Sequence, residues 1–450
     1  MKALFGTDGI RGEAGSFPLD AGTVKQIGFL LVSFLKPKVD KAPAIVIGRD
    51  TRESGPWLEQ ALIEGATDAG ATCHAAGVIT TPGVAFLTRS LNADAGIVIS
   101  ASHNPYHDNG IKIFSPSGQK LDDSVEKAIE ESVFAGVKDG GRPDPRHHQF
   151  SVDQSLVEKY VSYLSEEIGA GLTLSGLSIV VDCANGASSE IAPKVFVRLG
   201  AKVIAINAQP DGRNINLNCG SLHLEGLQER VKTEKADLGV AFDGDADRAL
   251  FVDNKGAFVD GDATMWALAN YLKARDRLKK NTVVATVMSN IGLEIALRSR
   301  GITLERTDVG DKYVLDALLK LGLSLGGEQS GHIILPELSL AGDGIITALC
   351  LLRAQQESAS SLAELTHGCQ HYPQILVNVR VREKPVLAEI PSVQAVVKDV
   401  EERLADKGRL LLRYSGTEPL ARVMIEGEKQ GEIEAYAANI AASIQQAIGV

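Results

Sequence analysis

Short runs of β-branched residues alternate along this chain with longer amphipathic runs, and that alternation restricts the fold more than any other feature. Ala44 to Ile47 reads as a strand and ends in Gly48-Arg-Asp-Thr-Arg-Glu-Ser-Gly55; a helical stretch, Pro56 to Ala69, follows. Ala95 to Ser100 is a second strand and Ser178 to Asp182 a third, the latter followed by a polar turn, a helix to about Leu199 and a strand from Ala201 to Ile206. Continuous apolar runs bounded by turn residues suit strands buried on both faces. Strand–helix alternation makes the class α/β.

At about 150 residues per domain, 450 residues imply roughly three domains, with two to four in range. Lys138 to His148 is polar and rich in Gly and Pro, and reads as a linker. Near Asp253 to Gly256 a strand gives way to a new helical segment, and around His367 to Pro373 the pattern changes again. The expected segments are 1–150, 151–253, 254–368 and 369–450. The first three each contain strand–loop–helix units and are candidate structural repeats, though no sequence identity between them is visible. The last is a smaller α+β unit: a strand from Ile375 to Val381, a helix from about Ile390 to Ala405, strands Arg409 to Arg413 and Ala421 to Gly427, and a closing helix from Glu432 to Ile448.

Charge narrows the partners. Lys plus Arg is 46 against 57 Asp plus Glu, a net of −11, where a nucleic-acid protein would show a basic stripe. An anionic ligand must therefore find a local Arg and Lys cluster. Five cysteines form no CxxC pair and no disulfide framework, so buried or free thiols are expected. The first residues reach Asp8 and Gly9 before a signal-peptide core could form, and the most apolar stretches, Ile27 to Leu35 and Ile345 to Leu352, are too short to span a bilayer. The expectation is a cytoplasmic chain with neither membrane nor nucleic-acid partner.

Four loops carry candidate chemistry. Ser100-Ala-Ser-His-Asn-Pro-Tyr-His-Asp-Asn-Gly110 follows a buried strand, and ligand sites of open α/β sheets lie at such carboxyl ends. Ser102 is expected to be exposed there, beside His103 and ten residues before Lys112. A serine hydroxyl needs a base or a metal to act as a nucleophile. By itself the segment is equally a polar turn. Asp243, Asp245 and Asp247 alternate with small residues after the strand Leu238 to Phe242, and three carboxylates so spaced suit a hard cation such as Mg²⁺. An EF-hand is excluded, because its sixth and twelfth positions hold Arg248 and Asn254. A solvated acidic turn is the alternative. Gly326-Gly-Glu-Gln-Ser-Gly-His332 offers Glu328, Ser330 and His332 to sugar hydroxyls, or is simply a hairpin-like turn. Arg413-Tyr-Ser-Gly-Thr-Glu-Pro419, with Arg422 after it, makes a phosphate cradle or a surface turn. Phe5 to Gly12 and Gly48 to Gly55 read alone as charged strand ends.

In this order the six segments resemble the α-D-phosphohexomutase superfamily, and most closely its hexosamine-phosphate branch, over nearly the whole chain. The resemblance implies three related α/β domains with mixed sheets plus a smaller α+β C-terminal domain around a central cleft. It implies Mg²⁺ and interconversion of glucosamine 6-phosphate with glucosamine 1-phosphate through glucosamine 1,6-bisphosphate, feeding UDP-N-acetylglucosamine and cell-wall synthesis. Ser102 would carry the phosphoryl group; Asp243, Asp245 and Asp247 would hold Mg²⁺ together with Ser102. Glu328 and Ser330 would read sugar hydroxyls, while Arg413, Ser415, Gly416, Thr417 and Arg422 would grip the phosphate that is not reacting. Arg11, His103, Lys112, Arg248 and His332 would surround the transfer centre, with Lys112 and His332 as acid/base candidates. The partner is then a phosphorylated hexosamine, and a homodimer is the candidate assembly. Three positions depart from the pattern: Ala246 replaces an expected Gly, Tyr414 an expected Lys, and His107 an expected aromatic residue.

Three rival readings share parts of this machinery. A phosphomannomutase or phosphoglucomutase would use all of it, with Gln329 and the run Ser415 to Pro419 favouring the amino sugar. A Mg²⁺-dependent sugar phosphatase would want an Asp-x-Asp nucleophile motif that does not precede Ser102. A non-catalytic phosphosugar sensor would need Arg413 and Arg422 but not Ser102.

Overall fold

The computed structural model describes residues 4–6, 8–39, 41–136, 150–415 and 418–450. The expected linker at Lys138 to His148 lies outside them. The chain packs into two compact units, Met1–Val287 with Glu305–Thr366, and Met288–Leu304 with His367–Val450.

The first unit holds mixed α/β sheets. Its six-stranded sheet runs Phe5–Gly6, Gly9–Glu13, Asp108–Phe114, Ala95–Ile99, Ala44–Arg49, Thr72–Val78. Ala44–Arg49 is parallel to both Ala95–Ile99 and Thr72–Val78, and Ala95–Ile99 is antiparallel to Asp108–Phe114. A five-stranded sheet runs Phe258–Val259, Ala249–Asp253, Leu238–Phe242, Ser178–Asp182, Lys202–Ile206, with Leu238–Phe242 parallel to Ser178–Asp182 and antiparallel to Ala249–Asp253. In a third sheet Gly326–Gly327 is parallel to Thr282–Thr286 and antiparallel to Ile333–Ile334. One rule unites the three. In each, a strand with a parallel neighbour turns back into an antiparallel one, and the turn is one of the candidate loops.

Helices cover these sheets for reasons legible residue by residue. Asp20 caps the helix Ala21–Leu35 by accepting from the Thr23 N–H at 3.0 Å, and Val24, Ile27, Leu31 and Leu35 form its buried stripe. Each such side chain contributes about 2 kcal/mol of burial. The helix crosses Gly55–Asp68 at glycines: a Cβ on Gly28 would stand 2.4 Å from the Leu62 carbonyl oxygen, and one on Gly65 1.9 Å from that of Lys25. The apolar stretches Ile27 to Leu35 and Ile345 to Leu352 are thus largely buried helix; among the described residues no helix is long and apolar enough to cross a membrane. None of the five cysteines is in a disulfide.

Asp343 begins the helix Gly344–Ser358. Its Oδ1 accepts the Ile345 and Ile346 N–H groups at 2.9 and 3.0 Å, and its Oδ2 accepts the Tyr160 hydroxyl at 2.6 Å. Burial pushes the Asp343 carboxyl up to about 6, against the pull of those three donors. A carboxyl whose value is higher in the fold than in the unfolded chain favours folding most when protonated. Its stability contribution is full below about pH 4 and falls as pH rises toward 6, by roughly 3 kcal/mol for a two-unit shift. Asp343→Asn keeps the cap but does not titrate. Its melting temperature relative to the parent is expected to rise between about pH 4 and pH 7; a constant difference would refute the assignment.

The second unit is an antiparallel sheet, ordered Gln374–Arg380, Leu420–Gly427, Gly408–Tyr414, backed by the helices Pro391–Leu404 and Gln430–Ile448. Val379, Val393, Val400, Val423, Ile425, Ile440 and Ile444 form its core. The helix Ile291–Ser299 belongs here as well. Buried Glu426 accepts the Ile291 N–H at 3.1 Å and pairs with Arg409 at 2.9 Å.

Candidate active site

Two loops of the first unit meet at Ser102. The first leaves the buried strand Ala95–Ile99, and the second leaves Leu238–Phe242. The Ser102 hydroxyl donates to Asp243 Oδ2 at 2.6 Å and lies 3.3 Å from His103 Nδ1. Ser102 was expected to be exposed and is not: 2 % of it is accessible. The aspartate loop covers it so closely that a Cβ on Gly244 would stand 2.5 Å from the Ser102 carbonyl oxygen. Ser102 adopts φ +52°, a left-handed conformation held from below. Its N–H donates to Ser100 Oγ at 2.9 Å, and its carbonyl accepts from Arg52 at 3.0 Å and Asn216 at 2.9 Å.

Asp243, Asp245 and Asp247 are buried, with one carboxylate oxygen from each within 4.8 Å of the others. Such a cluster is costly without a cation. Burial, followed by the charges of Asp247 and Asp245, pushes the Asp243 carboxyl well up. Burial works the same way on Asp247, but Lys112 and His332 outweigh it and hold that group well below the usual range. Asp245 Oδ1 and Asp247 Oδ1 are buried without a hydrogen-bond partner. Three buried carboxylates this close, two of them with an oxygen that makes no hydrogen bond, fit a hard divalent cation. Ala246 takes φ +55°, the conformation glycine favours. Ala246→Gly is therefore expected to stabilise the fold by about 0.5–1 kcal/mol, read from denaturant unfolding; destabilisation would contradict the reading.

Cations surround the triad. Lys112 Nζ lies 3.0 Å from Asp245, 3.2 Å from Asp247 and 3.3 Å from Asp8. Burial opposes its charge, but those three carboxylates raise it well above the usual lysine value. His332 Nδ1 is 3.7 Å from Asp247 and its Nε2 is 3.9 Å from Asp311. Burial disfavours the imidazolium, yet Asp247 and Asp311 lift His332 to about 9. His103 goes the other way: burial first, then Arg248 and Arg11, lower it and favour its neutral form. The Arg11 guanidinium bonds the Ala101 carbonyl and Asp8, and the Arg248 backbone N–H donates to Asp243 Oδ1 at 3.2 Å.

Glu328, Ser330 and His332 belong to the same unit. Glu328 Oε1 accepts the Gly310 N–H at 3.1 Å, and Ser330 lies 3.5 Å from Glu328 Oε2. The Gly331 carbonyl accepts from the Ala249 N–H at 3.1 Å, tying this hairpin turn to the strand after the aspartate loop. Beside the triad a cavity of about 410 Å³ is lined by Asp8, Lys112, Lys120, Asp247, Asp311 and His332, among others. That volume is within the range of small-molecule sites.

Arg413, Ser415 and Arg422 lie in the second unit; Gly416 and Thr417 are outside the described residues. Arg413 and Arg422 are direct cross-strand partners, an opposition of like charges that an anion relieves. Arg422 Nε is buried without a partner, while its Nη2 lies 3.4 Å from both Ser415 Oγ and Glu418. Tyr414, standing in place of an expected Lys, donates its hydroxyl to the Pro385 carbonyl at 2.7 Å. Lys384 then reaches the Ser415 carbonyl at 2.6 Å, so a cation arrives from thirty residues upstream. His107 meets the Tyr106 ring edge-on at 5.7 Å.

Several working residues escaped the sequence reading. Fully buried Arg52 pairs with Asp50 at 2.9 Å and donates to the carbonyls of Pro105, Asp108, Ser102 and Asn104. Its segment, Gly48 to Gly55, was legible only as a charged strand end. Thr81 bonds Asp245 Oδ2 at 2.6 Å, and Lys120 bridges Asp8 at 2.9 Å and Asp311 at 2.8 Å. These contacts join positions far apart in the chain, so no local spacing announces them.

Four family profiles match in succession. They are phosphoglucomutase/phosphomannomutase alpha/beta/alpha domain I over residues 2–139, domain II over 158–256, domain III over 260–372, and the C-terminal domain over 376–443. The chain is 50% identical over 448 residues to a phosphoglucosamine mutase of Solibacter usitatus, covering 100% of this chain and 99% of that one. It is 50% identical over 457 residues to a phosphoglucosamine mutase of Caldicellulosiruptor saccharolyticus, with 99% of each covered. Its fold matches a phosphoglucomutase/phosphomannomutase family protein of Burkholderia thailandensis (TM-score 0.80, 22% identity, 99% of each chain). It also matches an Aspergillus fumigatus N-acetylphosphoglucosamine mutase solved with GlcNAc-6P and magnesium (TM-score 0.66, 20% identity, 99% and 96%). Four successive domain matches and full-length relatives at half identity place this chain in the phosphoglucosamine mutase family.

Proposed function

We propose that this chain is an isomerase that interconverts glucosamine 6-phosphate and glucosamine 1-phosphate, with Ser102 as the phosphoryl carrier. The observation that carries the reading is the Ser102 hydroxyl held 2.6 Å from Asp243 within a buried triad of aspartates. The full-length relatives named phosphoglucosamine mutase support the substrate.

Phosphoryl transfer needs alignment and charge neutralisation more than covalent help from the protein. In the first half-reaction the Oγ–P bond of phosphorylated Ser102 breaks as a bond forms from phosphorus to the free sugar hydroxyl. That hydroxyl gives up its proton to a base, and the product is glucosamine 1,6-bisphosphate. After the sugar turns over, the other phosphate returns to Ser102 and the new hydroxyl takes a proton back. Lys112 and His332 are the acid/base candidates for those protons. Arg11, His103 and Arg248, with Lys112 and His332, would surround the transfer centre; Glu328 and Ser330 would read sugar hydroxyls. Arg413, Ser415, Gly416, Thr417 and Arg422 hold a phosphate. Asp243, Asp245 and Asp247, with an oxygen on Ser102, would hold Mg²⁺, which supplies positive charge to the seryl and phosphoryl oxygens. The division into 1–150, 151–253, 254–368 and 369–450 and a cytoplasmic location belong to this reading.

A coupled assay with Mg²⁺ and a trace of sugar 1,6-bisphosphate tests it. Glucosamine phosphates are expected to turn over faster than glucose or mannose phosphates, and chelation of the metal should abolish turnover. Preference for mannose 1-phosphate would move the chain to the phosphomannomutases. Inorganic phosphate as the main product would make it a phosphatase.

A further inference from the structure

Tyr160 lies outside every motif described above, yet its hydroxyl sits at the junction of two helices that hold the metal loop. Its side chain is fully buried and donates to Asp343 Oδ2 at 2.6 Å, with the Thr80 hydroxyl as a second hydrogen-bonding neighbour. Both neighbours are helix N-caps. Asp343 caps Gly344–Ser358, and Thr80 caps Thr81–Ser90 by accepting the Gly83 N–H at 3.1 Å.

The first residue of each helix donates to the metal loop. The Thr81 N–H bonds the Asp245 carbonyl at 3.0 Å while its hydroxyl bonds the Asp245 carboxylate at 2.6 Å. The Gly344 N–H bonds the Ala246 carbonyl at 3.0 Å, and a Cβ on Gly344 would stand 2.6 Å from the Arg248 carbonyl oxygen. The two anchored carbonyls belong to the middle of the loop, where the backbone reverses at Ala246. Two helix N-termini, each with positive partial charge, therefore meet the carboxylate loop, and one phenol hydroxyl lies between their caps.

We propose that Tyr160 and Asp343 are positioning residues of the metal centre, which fix both helix starts and through them the spacing of Asp243, Asp245 and Asp247. The role rests on the assignment of the aspartate triad as a metal site. Supporting shells of this kind typically set metal affinity by ten- to a hundredfold.

Mn²⁺ binding to the full, resting chain, counted by electron paramagnetic resonance, tests this without turnover. Tyr160→Phe keeps the ring, packed 5.6 Å from Phe86, and removes only the hydroxyl; it is expected to weaken Mn²⁺ binding about tenfold. Asp343→Ala should do the same. Asp343→Asn retains the cap and an amide to face the phenol, and should stay within about threefold of the parent. Tyr163→Phe is the control, because that ring stacks on the same Phe86 at 4.2 Å but its hydroxyl goes to the Leu338 carbonyl; its affinity should not change. A folded Tyr160→Phe with parental Mn²⁺ affinity overturns the proposal. Should that variant not fold, equal affinity of Asp343→Ala and Asp343→Asn overturns it instead. No Mn²⁺ binding by the parent chain would overturn the metal assignment itself, and the positioning role with it.

Discussion

Ser102→Ala is expected to lower turnover by about 10⁴-fold or more while sugar-phosphate binding stays within a few-fold of the parent. The loss is that large because the hydroxyl is the acceptor and donor of the transferred group, and no neighbouring side chain can replace it. His103, at 3.3 Å, is an imidazole with no hydroxyl to carry the group in the serine's place, and Asp243 is committed to the triad. Binding should persist because the groups assigned to sugar and phosphate, Glu328, Ser330, Arg413 and Arg422, are untouched. Alanine at this position keeps the φ of +52° at no greater strain than serine, so the loop should hold its shape. Peptide mapping should find the phosphoryl group on Ser102 in the parent and nowhere in the variant. Turnover by the variant within tenfold of the parent would remove Ser102 from the mechanism.

Arg52→Ala should be the most damaging change away from the reacting atoms. The guanidinium is fully buried, and its donors reach Asp50 and four backbone carbonyls of the loop from Ser102 to Asp108. Truncation removes the counter-charge of the buried Asp50 carboxylate and the guanidinium bond to each of those carbonyls, although Asn216 still donates to those of Ser102 and Asn104. Removing one member of a buried ion pair costs about 3–5 kcal/mol. Arg52→Lys keeps the charge but offers a compact ammonium in place of a planar five-donor fork, so several carbonyls still lose their bonds. It is expected to cost about 2 kcal/mol and to misplace Ser102, so that turnover falls by about a hundredfold. Denaturant unfolding and the extent of Ser102 phosphorylation check both variants. If Arg52→Lys matched the parent in stability and turnover, the cradle would be packing alone.

The strands and helices were readable because their signals are local. Leu238 to Phe242 and Ser178 to Asp182 are apolar runs bounded by turn residues, and both are strands with those bounds. The closing helix predicted at Glu432 to Ile448 begins at Gln430. The candidate loops were readable too, since carboxylates, hydroxyls and glycines at strand ends carry chemistry in their spacing. The exposure expected for Ser102 failed because that inference used one strand end, and the covering loop comes from 141 residues further along.

What the residues alone determined is the α/β class, the order of the elements and the inventory of reactive groups, since hydrophobic period and turn chemistry act over a few residues. What only the tertiary structure decided is which of those groups share a charge environment. Asp243 and Asp247 have the same side chain four residues apart, yet burial beside two carboxylates drives one up while Lys112 and His332 hold the other down. Long-range pairs such as Arg52 with Asn104, Tyr160 with Asp343 and Lys112 with Asp245 exist only once the chain has folded, because electrostatic and hydrogen-bond energies depend on distance in space and not along the sequence.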